Sequence, residues 1–253
     1  MIFIDPVEGK HDPLIFLHFP HTGGSFVTSV LAGLRTARQP EGQHVPVWKL
    51  KNWARSKATV FTVTRAPPPW YAGCIDYALR IHNGEVGVIK FADGFHMDAL
   101  ADSIDIYSGG TFDRSDILYG LTHMDELGDE LPPKVGLTWG EVYPRAALTA
   151  GAGLWTWCMH WFLAPLEIEG EQRRTVDLFL STENLTNGLA SLLGEVPATI
   201  TPFLNYANRR LRTAVPWTQE ELGWIARADG EMASGWGYNL LGAQGAQGAQ
   251  EVA

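Results

Sequence analysis

Three apolar runs constrain this chain more than any other feature. Leu14–His18, Thr59–Thr64 and Val176–Ser181 each read as a strand. A breaker or cap closes each run, and a helical pattern follows. After the first run come Thr22–Gly24, then Phe26, Val30 and Leu34 on one helical face. The second meets Arg65–Pro69 and then a predicted helix over Trp70–Arg80. The third meets Thr182–Asn184, followed by Leu185, Leu189, Leu192 and Leu193. Strands that are apolar on both faces, alternating with helices, predict an α/β fold with a central, mainly parallel sheet. Ligands of such sheets bind beyond the carboxyl ends of the strands, where these turns lie.

The first turn carries the sharpest chemical signal. "PLIFLHFPHTGGSFVTSVL" (Pro13–Leu31) ends a buried strand and restarts at helical spacing after two glycines. The N–H groups of Gly23, Gly24, Ser25 and Phe26 then stand at a helix start, where no intrahelical carbonyl reaches them. The positive end of the helix dipole lies behind them. Glycine lets a phosphate approach the backbone closely, and the Thr22 and Ser25 hydroxyls offer further donors. The lysine and Gly-Lys-Ser/Thr ending of a Walker A loop are absent. A tight turn capped by Ser25, with no ligand, is the competing reading. The second turn adds Arg65 just past a strand, where a guanidinium can fork onto a second phosphate. Its plainer alternative is a surface ion pair.

Taken in order, these segments resemble the sulfotransferase superfamily, which uses 3′-phosphoadenosine 5′-phosphosulfate as sulfuryl donor. "FLHFPHTGGSF" (Phe16–Phe26) resembles the 5′-phosphosulfate loop, and "VTRAPPPWYAGCIDY" (Val63–Tyr77) the 3′-phosphate motif. "VDLFLSTENLTNGLASLLGEV" (Val176–Val196) and the stretch Asn205–Tyr238 are similar to the family's later segments. The resemblance runs from about Leu14 to Tyr238. It implies a three-layer α/β/α sandwich of the P-loop NTPase-like kind, one domain over residues 1–241, and phosphoadenosine phosphosulfate as co-substrate with no metal. It assigns the 5′ end to His21, Thr22, Gly23, Gly24, Ser25 and Phe26, and the 3′-phosphate to Arg65 and the position of Gly73.

Two positions depart from the family pattern. His21 stands where the loop lysine steadies the leaving group. An imidazole, with an ordinary pKa of about 6.5, is partly charged near neutrality and can donate the same hydrogen bond. Gly73 replaces a serine that contacts the 3′-phosphate, and the neighbouring Cys74 is a poor donor. For the acceptor's proton, His44 in "EGQHVPVWKL" is the first candidate base and His18 the second. His82, His96 and His123 are candidates for the acceptor pocket. Trp70 could stack on a base or sugar, and Glu183 matches a family position near the nucleotide.

Charge and composition narrow the partners. Between Glu85 and Glu141 twelve acids meet three bases, so this stretch, within an irregular insert over about 84–145, carries the whole net charge of −9. No basic stripe points to nucleic acid. Like charge disfavours a heavily sulfated glycan, leaving a small molecule, sugar or peptide as acceptor. Ala146–Leu166 lacks charged residues, but Gly151, Gly153, His160 and Pro165 dilute it, and it reads as a buried helix rather than a membrane span. The early acids and two widely spaced cysteines lead us to expect a cytoplasmic protein without a leader. Residues 242–253, with their GAQ repeats, have nothing to bury and are expected to be disordered. The sequence leaves the oligomeric state open. Two other readings stand beside transfer chemistry: a catalytically silent nucleotide-binding or protein-interaction module, and a phosphoryl-transfer kinase, which the missing Walker lysine disfavours.

Overall fold

The computed structural model describes residues 2–38, 47, 57–82, 114–123, 152–163, 167–168, 171–172, 176–204 and 216–240. In chain order the elements are β1 (Ile2–Ile4), β2 (Leu14–Leu17), α1 (Gly24–Leu34), β3 (Ala37–Arg38), β4 (Thr59–Thr64), α2 (Pro67–His82) and α3 (Arg114–Thr122). There follow α4 (Leu154–Leu163), the pair β5 (Glu167–Ile168) and β6 (Glu171–Gln172), and β7 (Leu178–Ser181). The last are α5 (Leu185–Leu193), α6 (Pro197–Ile200) and α7 (Gln219–Gly235). The described residues fall into two compact units, one drawn from within residues 1–65 and 160–214, the other from within residues 66–89, 94–159 and 215–253.

The first unit is an α/β structure on a five-stranded sheet of order β3-β1-β2-β4-β7. All three predicted strands are present, and they pair in parallel. Leu14 to Leu17 lie opposite Thr59 to Thr62, and Phe61 to Thr64 opposite Leu178 to Ser181. The parallel pairing expected from the sequence is present in β2, β4 and β7, and antiparallel strands extend the sheet on the β1 side. β1 runs antiparallel to both β2 and β3, and the connection from β1 to β2 is only residues 5–13, bent back through the Val7–His11 bridge. A connection that short can close a hairpin but not a crossover.

One face of the sheet supports a layer made by α1 and α5. Phe26, Val27, Val30 and Leu31 of α1 and Leu185, Leu189, Ala190 and Leu193 of α5 pack with Ile2, Ile4, Leu14, Phe16, Phe61, Val63 and Leu180. Fully burying each large apolar side chain contributes about 1.5–3 kcal/mol. On the opposite face Phe3, Ile15, Leu17 and Val60 are also buried, which explains why β2 and β4 read as continuous apolar runs. Thr62 is buried between them, its hydroxyl donating to the Leu17 carbonyl at 2.7 Å. Asp177 sets the register of β7. Its N–H donates to Val60 O at 2.8 Å, and its carboxylate accepts from Val60 N–H at 2.7 Å.

The second unit, as described, is helical. α2 begins three residues earlier than the sequence suggested, on Pro67–Pro69. The first-turn N–H groups of a helix have no partner to lose, so proline is tolerated there. α7 starts with a capping box: Glu221 N–H donates to Thr218 Oγ1 at 3.1 Å, and Thr218 N–H to Glu221 Oε2 at 2.7 Å. α4 confirms a buried helix within the charge-free segment, with Trp155 and Met159 in the core. No helix among the described residues is long and apolar enough to cross a membrane.

Candidate functional site

The carboxyl ends of β2, β4 and β7 converge on the turn Phe19–Gly23. Past Leu17 the chain folds back, with Phe19 N–H donating to Leu17 O at 3.1 Å. His21 takes a left-handed backbone (φ 59), the only non-glycine to do so among the described residues. Such a conformation costs of order 1 kcal/mol or more and persists only where its surroundings enforce it. Gly23 is left-handed as well (φ 85, ψ 15) and serves as N-cap of α1. The cap is thus Gly23 and not Ser25, and no side chain completes it.

Two side chains grip the turn from the neighbouring strands. Arg65, one residue past β4, donates through Nη1 to the His21 carbonyl at 3.3 Å. Thr182, one residue past β7, donates through its hydroxyl to Thr64 O at 2.9 Å and also lies 3.3 Å from Thr22 O. Successive carbonyls of the turn are therefore drawn towards β4 and β7. Gly23, left-handed, then precedes Gly24, the first residue of α1. A left-handed residue followed by a right-handed one is the backbone pattern of an anion-binding nest. Among the described residues no carbonyl takes the N–H of Gly23, Gly24 or Ser25, and Ser25 is exposed.

Two expected donors are already engaged. Phe26 N–H donates to Gly23 O at 2.9 Å, inside the first turn. Thr22 is fully buried, and its hydroxyl donates to Phe19 O at 2.7 Å, bracing the turn internally. Both follow from how sharply the chain must bend to enter α1. Three backbone donors remain, where the sequence reading counted four with two hydroxyls.

His18, a candidate base, is a core residue. Its ring stacks on Phe16 with centroids 5.7 Å apart and lies against the backbone of Gly24. A Cβ at position 24 would sit 1.7 Å from His18 Nε2, so glycine there is required by space.

The structure thus brings His21, Thr22, Gly23, Gly24, Ser25, Phe26 and Arg65 together in the first unit. Gly73 lies inside α2 in the second unit. His44 and His96 fall outside the described residues, as do the tail and most of the acidic insert. His123 follows α3 in the second unit and stacks on Tyr119 at 3.9 Å. Trp70 is buried edge-on against Tyr71 at 5.3 Å, which removes it as an exposed stacking platform. Glu183 is exposed on the single turn of 3₁₀ helix Thr182–Asn184. The residue that sequence reasoning missed is Thr182. It read as one of several polar residues closing a strand, and only the register of β7 against β4 shows what it reaches. Searches of protein-family models, of curated proteins and of solved structures return no significant match to this chain.

Proposed function

We propose that the turn Phe19–Phe26 and Arg65 bind the phosphates of 3′-phosphoadenosine 5′-phosphosulfate, and that the chain transfers its sulfuryl group to an acceptor hydroxyl or amine. One observation carries this reading. The two turns that resemble the sulfotransferase phosphate loops meet through Arg65 and His21, and among the described residues no carbonyl takes the N–H of Gly23, Gly24 or Ser25. The strand–glycine turn–helix order β2–α1 supports a P-loop-like three-layer sandwich as the underlying fold. In this scheme the N–H groups of Gly23, Gly24 and Ser25 hold the 5′-phosphosulfate, and the Arg65 guanidinium holds the 3′-phosphate. The acceptor oxygen or nitrogen attacks sulfur in line as the bond from sulfur to the bridging oxygen breaks. His44 takes the acceptor's proton, and His21 donates a hydrogen bond to the leaving phosphate oxygen. Positioning and charge stabilisation supply most of the rate, as in phosphoryl transfer.

Rate against pH is then bell-shaped, with His21 acting charged and His44 neutral. His21→Lys flattens the alkaline limb while the acid limb stays; an unchanged alkaline limb removes His21 from this role.

The competing reading is a silent nucleotide-binding or interaction module on the same fold. It draws on the inward Thr22 hydroxyl and on the Arg65 donor spent on His21 O. Calorimetry with 3′-phosphoadenosine 5′-phosphate, ATP and GTP separates the two. Preference for the 3′-phosphorylated nucleotide supports transfer; binding of none supports the module.

A further inference from the structure

The second unit contains an ionisable cluster with no part in the proposed chemistry. Asp229, on α7, is 1 % exposed. Its Oδ2 accepts from the Tyr71 hydroxyl of α2 at 2.7 Å, and its Oδ1 accepts from Thr156 N–H of α4 at 2.9 Å. The Trp155 N–H reaches Tyr71 Oη at 3.3 Å, and the Leu121 carbonyl, in the last turn of α3, lies 3.4 Å from the same oxygen. Gly153, just before α4, closes the cluster. A Cβ there would lie 2.5 Å from Tyr71 Oη and 2.7 Å from Asp229 Oδ2. Among the described residues no cation is bonded to Asp229. Among the described residues the titratable groups around it are Tyr71 and Cys158, with Cys74 beside Tyr71, and all three are neutral when protonated.

The Tyr71 hydroxyl has one proton and two acceptors within reach. When Asp229 is ionised, the proton must go to its carboxylate, since a buried charge without a donor is far costlier than a helix-end carbonyl without one. When Asp229 is protonated, the carboxyl has its own proton to donate. We propose that Asp229 and Tyr71 form a two-position proton switch joining α2, α3 and α7. Uptake of one proton by Asp229 reverses its hydrogen bond to Tyr71 Oη, and Tyr71 turns its own proton to Leu121 O. The protonated form makes one hydrogen bond more and carries no buried charge, so mild acid tightens this unit. Burial, opposed by hydrogen bonds from Tyr71 and Thr156, raises the Asp229 carboxyl from 3.8 to about 6, which places the transition just below neutrality.

Asp229→Asn tests the switch on the full chain, because the Asn amide donates to Tyr71 as the protonated acid would. Expected is a variant more stable than wild type near neutrality and equal to it near pH 4, the gap opening by roughly 6–12 °C in Tm. Parallel stability curves, or an Asn variant weaker at every pH, overturn the proposal. If that variant does not fold, carbon NMR of aspartate carboxyls in wild type decides. One carboxyl titrates near pH 6, and Tyr71→Phe, by removing a donor to the anion, moves that titration upward. Absence of any aspartate titrating above about pH 5, or no movement in Tyr71→Phe, overturns it equally.

Discussion

Single side chains in the turn act by occupying carbonyls and space. Arg65 and Thr182 hold the His21 and Thr22 carbonyls of the loop. Arg65→Ala is expected to weaken binding of 3′-phosphoadenosine 5′-phosphate about 10- to 100-fold, the worth of a charged hydrogen bond, as read by calorimetry. Thr182→Val keeps the shape and removes the donor, costing about 1 kcal/mol, or roughly fivefold in the same affinity. Thr182→Ser restores it. Gly24 works through the volume it lacks. Gly24→Ala forces a methyl into the His18 ring and is expected to cost about 1–3 kcal/mol in denaturant unfolding. Adding His18→Ala should recover part of that loss, because it vacates the same space.

At the scale of elements, the helices α1 and α5 need closure at their carboxyl ends, and Arg35 supplies it for both. Its side chain donates to Leu34 O at 2.7 Å, to Leu193 O and Glu195 at 2.6 and 2.8 Å, and to His11 Nε2 at 3.0 Å. Lys10 adds a second cation on Glu195 at 2.6 Å. The last carbonyls of a helix carry partial negative charge, so a cation there is favoured as well as bonded. Arg35→Ala leaves the Leu34 and Leu193 carbonyls without this donor and Glu195 with Lys10 alone. It is expected to destabilise the first unit by about 2–3 kcal/mol, seen as a lower denaturant midpoint with unchanged slope.

For the whole molecule, the two units respond to acid with opposite sign. In the first, the hydrogen bonds of Lys10 and Arg35 hold the Glu195 carboxyl below its ordinary range. A lowered carboxylate contributes stability above its unfolded pKa and loses it as pH falls through the folded value. In the second, the Asp229 carboxyl is raised to about 6, so stability is gained as pH falls through about 6 and is complete near 4. That gain is about 3 kcal/mol by proton linkage. Hydrogen exchange on the intact chain, corrected for intrinsic rates, should show slower opening in α2 and α7 between neutrality and pH 5. Amides of α1 and α5 should open faster only as pH falls below the ordinary carboxylate range. A common response in both units counts against the assignment of these two carboxyls.

Local sequence determined the parallel strands, the glycine turn and the helices that follow, because each depends on neighbours within a few residues. Continuous apolar runs need a sheet buried on both faces, and a left-handed cap needs a residue such as Gly23. The antiparallel β1 and β3 escaped notice because strands of two or three residues carry too little periodicity. Tertiary structure alone decided that Thr182 reaches the Thr22 carbonyl, that His18 is packed away against Gly24, and that Asp229 meets Tyr71. Those contacts join residues up to 160 positions apart. Register and helix packing, which no local pattern encodes, bring them within hydrogen-bonding distance.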